Sequence, residues 1–139
     1  MKFPRRYHAL KKIFLNACDP DIAALKGEYI VDILSFLPSL KRFNHRKVFH
    51  AGENNITGHN VLFGKTWGTF SVSESNDKES GFKKSLMLNY DMEDNFFLLR
   101  NIRDYMRSNE NDTWYIGKFY FRFFRWDFFI GYFSLEKIK

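Results

Sequence analysis

Residues 113–138 read TWYIGKFYFRFFRWDFFIGYFSLEKI. Two runs of aromatic and β-branched residues flank a short polar turn at Arg125-Trp126-Asp127, and each run holds one glycine, Gly117 and Gly131. Such runs predict a long β-hairpin that is apolar on more than one face. A two-stranded ribbon of this kind is marginal in water by itself. It has to close a sheet or line a cavity, which points to a β-rich barrel or a strongly curved sheet.

Working back along the chain, the same period of two recurs. From Glu28, residues Tyr29, Val31 and Ile33 point one way and Ile30, Asp32 and Leu34 the other. Pro38 ends that strand or bends the chain. Residues 43–50 read as a second strand carrying the basic cluster His45-Arg46-Lys47, and residues 53–59 as a polar loop. Residues 61–63 and 66–73 read as two strands, or as one kinked at Gly64. The stretch ESNDKESG (residues 74–81) is a surface loop, and residues 82–90 alternate again. Residues 95–107 fit strand or helix; turn-forming residues on both sides decide for strand. Ahead of Gly27 the period is helical. Tyr7, Leu10, Ile13, Phe14 and Ala17 share one face, and Asp19-Pro20 predicts a second short helix over 20–26 with Asp19 as its cap.

The expectation is one domain over 1–139: a helical segment, 1–26, and an antiparallel barrel of seven to eight strands, 27–139. Full closure removes exposed sheet edges. A sandwich is disfavoured by the absence of its Cys-Trp-Cys landmarks. The 139 residues suffice for a self-supporting core. Aromatics are 19% of the chain, a load that calls for a large shared core or an aromatic-lined pocket. The single cysteine, Cys18, excludes an intrachain disulfide. Lys11 and Lys12 interrupt any apolar run near the start, so a secretory signal is not expected and the expected compartment is the cytoplasm. No run reaches the roughly 20 apolar residues of a membrane-spanning helix.

The stretch from Leu88 to Leu135 resembles the C-terminal half of the lipocalin-like proteins of the GXWXG type. The matching pieces are Leu88-Asn89-Tyr90-Asp91, residues 96–104 with Arg100 and Arg103, and Gly131-Tyr132-Phe133-Ser134-Leu135. The motif that gives the type its name falls at Gly27-Glu28-Tyr29-Ile30-Val31, with tyrosine replacing tryptophan and valine replacing the second glycine. The resemblance implies a calycin-like barrel and little about chemistry, because such barrels host carriers, a few enzymes and other roles.

The candidate barrel-interior residues are Tyr29, Trp67, Tyr90 and Tyr120, each with apolar area and a polar tip, together with Arg100 and Arg103 as holders of an acidic ligand group. Core filling is the plainer reading of each of these aromatics and an exterior ion pair that of Arg107, whereas Arg100 is balanced between the exterior and the ligand-holding role. The histidines His8, His45, His50 and His59 lack metal-ligand spacing, so neither a metal nor another cofactor is expected. No nucleophile or phosphate-loop motif occurs, which argues against an enzyme. An enzyme would use a buried carboxylate beside Tyr90 or Arg100. The expected function is non-catalytic binding of a small apolar or weakly acidic molecule. The rival is nucleic acid held by Lys118, Arg122 and Arg125 among aromatics, disfavoured because recognition signatures are absent. A membrane-surface role for the first helix ranks third; more simply, its apolar stripe caps the barrel's open end.

Overall fold

A computed structural model describes residues 2–35 and 39–138. Eight strands follow in chain order: β1 (Gly27–Ile33), β2 (Arg46–Ala51), β3 (Ile56–Leu62), β4 (Lys65–Ser75), β5 (Ser85–Asn89), β6 (Ile102–Ser108), β7 (Trp114–Phe123) and β8 (Trp126–Lys137). Each pairs antiparallel with the next, and β8 returns to β1 with Val31 opposite Leu135 and Ile33 opposite Phe133. The sheet is therefore a closed barrel, as the aromatic hairpin demanded. Past Gly27, the helical residues among those described are single 3-10 turns.

Several boundaries differ from the sequence reading. Pro38 lies outside the described residues. Lys41–Phe43 is a 3-10 turn ended by Asn44 in the left-handed region (φ 60°), so β2 starts only at Arg46. Residues 56–59 are strand, not loop: Ile56 and Gly58 are buried and Thr57 and His59 are partly exposed. Phe63 and Gly64 both take positive φ (55° and 74°), as a two-residue hairpin turn requires, so β3 and β4 are separate strands. Residues 95–101 are not strand. The Asn95 side chain accepts from the Thr69 N–H (2.8 Å) and donates to the Tyr90 and Thr69 carbonyls, which ties this loop to β4. The last hairpin turns at Phe124-Arg125, leaving Trp126 and Asp127 inside β8.

The expected second helix is one 3-10 turn, Ile22–Ala24. Its cap is Asp21, not Asp19, through a 3.0 Å bond from the Ala23 N–H. Leu25, just after it, is fully buried and plugs one end of the barrel against Tyr29, Phe49 and Tyr115. The opposite end, where β1, β3, β5 and β7 finish, is the mouth.

The first helix, α1 (Tyr7–Asn16), does not cap the mouth. It lies on the outer wall, where Leu10 and Phe14 are fully buried with Tyr105, Ile116 and Tyr132 in a second core. The outward faces of β6, β7 and β8 are aromatic and need cover, and the helix supplies it. Arg107 fixes the helix end: it donates to the carbonyls of Phe14 (3.0 Å) and Ala17 (2.6 Å) and pairs with Asp19 at 3.0 Å.

Inside the barrel, Gly117 matters for its lack of a side chain. The Phe133 ring lies directly over it, where a Cβ would sit. Gly117→Ala should therefore overpack the interior and cost about 1–3 kcal/mol in a urea melt. Phe133→Leu in the same chain should recover part of that loss, because neighbouring changes couple. A neutral Gly117→Ala would show that the ring is not held there.

Candidate functional site

Alternation along β2 and the residue just before it puts His45, Lys47 and Phe49 on the inner side and leaves His50 outside, stacked on His59. Phe49 belongs to the packed half of the interior. Lys47 and His45 lie nearer the mouth, where a cavity of about 230 Å³ opens. Its walls are largely apolar, with Val31, Ile33, Leu99, Ile102, Phe119 and Phe133 among them.

Its floor is polar. The Lys47 ammonium donates to Asn60 Oδ1 at 2.6 Å and to the Tyr90 hydroxyl at 2.5 Å, and it lies 3.5 Å from Asp104 Oδ2. Tyr90 donates to the same Asp104 oxygen at 3.2 Å and accepts from Asn60 Nδ2 at 3.1 Å. All four side chains are buried. They come from β2, β3, β6 and the end of β5, so the network crosses the barrel interior. Burial pushes the Lys47 pKa down, and the Asp104 charge opposes that shift. Burial pushes the Asp104 pKa up, and Lys47 again opposes. Whichever partner holds the proton, the pair carries no net charge. Breaking one side of such a pair typically costs about 3–5 kcal/mol.

His45 is different. It is 4% exposed and lies tilted on Trp67 with ring centroids 5.9 Å apart. Neither ring nitrogen has a hydrogen-bond partner in the protein. Burial, helped by the nearby Lys47 charge, lowers its pKa to about 4. The ring is neutral at pH 7 and presents one donor and one acceptor in the cavity wall. Orphaned buried polar atoms of this kind are uncommon in folded proteins.

Of the residues singled out from sequence, Tyr90 and Trp67 line this cavity. Tyr29 is inside the barrel but at the plugged end, its hydroxyl donating to the Leu25 carbonyl at 2.9 Å. Tyr120 points outward into the second core and donates to the Glu79 carbonyl. Arg103 also faces outward, bonded to the carbonyls of Arg100 and Ile102 at 2.8 Å each. Arg100 sits in the 3-10 turn Leu99–Asn101 and pairs with Asp91 at the surface, 2.8 Å apart. Neither arginine lines the cavity; the cation there is Lys47. The inward series on β6 is Ile102, Asp104 and Met106, so Arg103 faces out by alternation, while Arg100 lies in the turn before the strand begins.

A larger groove, about 610 Å³, lies outside the barrel between the N-terminal segment and β1. Three of its polar groups bond one another: Arg5 pairs with Asp32 at 3.2 Å and Ser39 donates to Asp32 at 2.5 Å. Among the described residues, no group of three or more His, Cys, Asp or Glu is placed to hold a metal ion, and no helix is long and apolar enough to cross a membrane. No family model matches the chain, and no curated protein or solved structure matches it either.

Acid titration should expose His45. In the unfolded chain its imidazole protonates near the ordinary value of about 6.5, whereas the folded protein resists protonation down to about 4. Stability is thus lost as pH falls between those values, by about 2–3 kcal/mol at pH 4.5. Urea melts at pH 7 and 4.5 should show that loss in the parent and a smaller one in His45→Phe. Equal losses would place His45 in water.

Proposed function

We propose that the protein is a non-catalytic binding barrel for a small, largely apolar molecule with one uncharged hydrogen-bonding group. The observation that carries this reading is His45, a neutral imidazole with two partnerless nitrogens in the largely apolar wall of a cavity whose polar floor groups already bond one another. A hydroxyl, a carbonyl or a protonated carboxyl group suits it. A charged carboxylate suits the site less well, because Asp104 already neutralises Lys47. A weak acid would enter in its protonated form.

The volume favours a small ligand. About 230 Å³ is less than the roughly 300–1,000 Å³ of ordinary ligand pockets. One or two rings fit, or one end of a longer chain whose remainder leaves through the mouth between Leu40, Trp67 and Leu99. The lipocalin-like resemblance is part of the same proposal: Tyr90-Asp91 follows directly on β5, with Tyr90 at the cavity, and Gly131–Leu135 lies in the strand that closes the barrel.

The enzyme alternative would centre on Asp104, a buried carboxylate beside Tyr90. Against it, the Lys47 protons, Asp104 Oδ2 and the Tyr90 hydroxyl bond one another, so chemistry there would first have to break the network. The nucleic-acid alternative loses two of its three cations. Lys118 is buried over the Phe14 ring and bonded to Glu79, and Arg122 pairs with Asp127 at 2.8 Å.

Titration with 1-naphthol and with naphthalene, followed by ligand fluorescence, tests the reading. Both should bind. His45→Phe keeps a ring against Trp67 and removes the hydrogen bond, so it should weaken 1-naphthol about fivefold, the worth of one neutral hydrogen bond of about 1 kcal/mol. Naphthalene affinity should be unchanged. Equal effects on both ligands, or no binding of either, would reject the site.

A further inference from the structure

We infer that the rim of the barrel mouth docks on an anionic lipid bilayer. The basis is where the exposed apolar side chains lie. Among the described residues, Phe82 and Ile138 are exposed large hydrophobics away from the mouth, Tyr7 and Phe129 pack on each other over the outer wall, and Trp67 stands in the cavity wall. The other exposed large hydrophobics occupy three neighbouring connections at the mouth end.

The β7–β8 ribbon carries the largest share. The β6 register with β7 ends at Ile102 opposite Phe121, and that of β1 with β8 ends at Ile33 opposite Phe133. Beyond those points the ribbon has no flanking strand. Arg122 and Asp127 face each other across it with two bonds, at 2.8 and 3.1 Å, and hold its shape. Yet Phe123, Phe124, Trp126 and Phe128 are 50%, 80%, 54% and 52% exposed. The β5–β6 loop adds Phe96, Phe97 and Leu98. The β3–β4 turn adds Phe63, which packs on Phe43 at 4.9 Å. Exposed aromatics concentrated in this way mark an interaction site.

Charge selects the occupant. Lys41, Arg42, Lys65 and Arg125 surround the mouth without an ion pair among the described residues, and Arg42 and Arg125 lie over the Phe43 and Trp126 rings. Among the described residues, the acids at this end without an ion pair are Glu93 and Asp94. A second copy would bring a like-charged rim against this one. An anionic headgroup layer brings the opposite charge. The shape agrees, since ring-bearing tips project from separate loops, as interfacial aromatic and arginine anchors do. Docking there would turn the cavity toward the bilayer, so that an apolar ligand passes in without crossing water. The inference concerns the rim and stands apart from the chemistry of His45.

Flotation with vesicles, and tryptophan emission, test it. The parent should float with phosphatidylcholine–phosphatidylserine vesicles and shift its emission to the blue, and added salt should weaken the binding. Phe124→Ser with Trp126→Ser should reduce partitioning by about tenfold or more while leaving 1-naphthol affinity and the thermal melt unchanged. Lys65→Glu with Arg125→Glu should reduce it without touching an apolar group. Phe82→Ser, at an equally exposed ring on the flank, should have no effect. The inference is overturned if the parent ignores both anionic and neutral vesicles, or if Phe82→Ser matches the rim variants. It is also overturned if sedimentation velocity shows a dimer that the rim variants dissociate.

Discussion

A lysine ammonium inside a small barrel is the constraint on which the rest depends. Buried charge is costly unless it is paired and hydrogen-bonded. Lys47 therefore draws Asp104, Asn60 and Tyr90 around it from across the sheet. Those side chains satisfy one another, so they cannot collapse into an aliphatic core. The interior divides accordingly. On the plugged side, Tyr29, Phe49, Tyr115 and Leu25 pack into a solid core. On the mouth side, polar groups hold the walls apart and a cavity remains, with the imidazole of His45 in its wall.

The outer wall follows from the same sheet. Strands this aromatic are apolar on both faces, and one barrel has only one inside. Tyr105, Ile116, Tyr120 and Tyr132 must be covered from without, and α1 with the 3-10 turn Lys78–Ser80 covers them. Arg107 and Lys118, basic residues among the outward aromatics, turn to backbone carbonyls of these covering segments. The uncovered remainder is the ribbon beyond Phe121. The outer aromatics of β6, β7 and β8 are thus sheltered along the wall and bared around the mouth.

The barrel itself was legible in the sequence, because period-two alternation after Gly27 and the 113–138 hairpin both need closure. The site was only half legible. Tyr90 and Trp67 were found as rings with polar tips. Lys47 was hidden in the basic cluster His45-Arg46-Lys47, which reads as a solvated face. The available signal was parity: His45, Lys47 and Phe49 share one side of β2. Its partner Asp104 lies far along the chain, and no spacing rule links two residues that meet across a barrel. Arg100 and Arg103 misled for a local reason. The Asn95 side chain holds 95–101 as a loop, which takes Arg100 out of β6, and alternation with the inward Asp104 turns Arg103 out.

The central claim is that the mouth half of the barrel, and not the plugged half or the outer groove, takes up a small apolar molecule. Amide and side-chain NMR shifts during titration with 1-naphthol locate it directly. The account predicts changes at Val31, His45, Lys47, Tyr90 and Phe133, with Phe49 and Tyr115 unmoved. Shifts centred on Tyr29 and Tyr115, on Arg5 and Asp32, or nowhere in the barrel interior would contradict it.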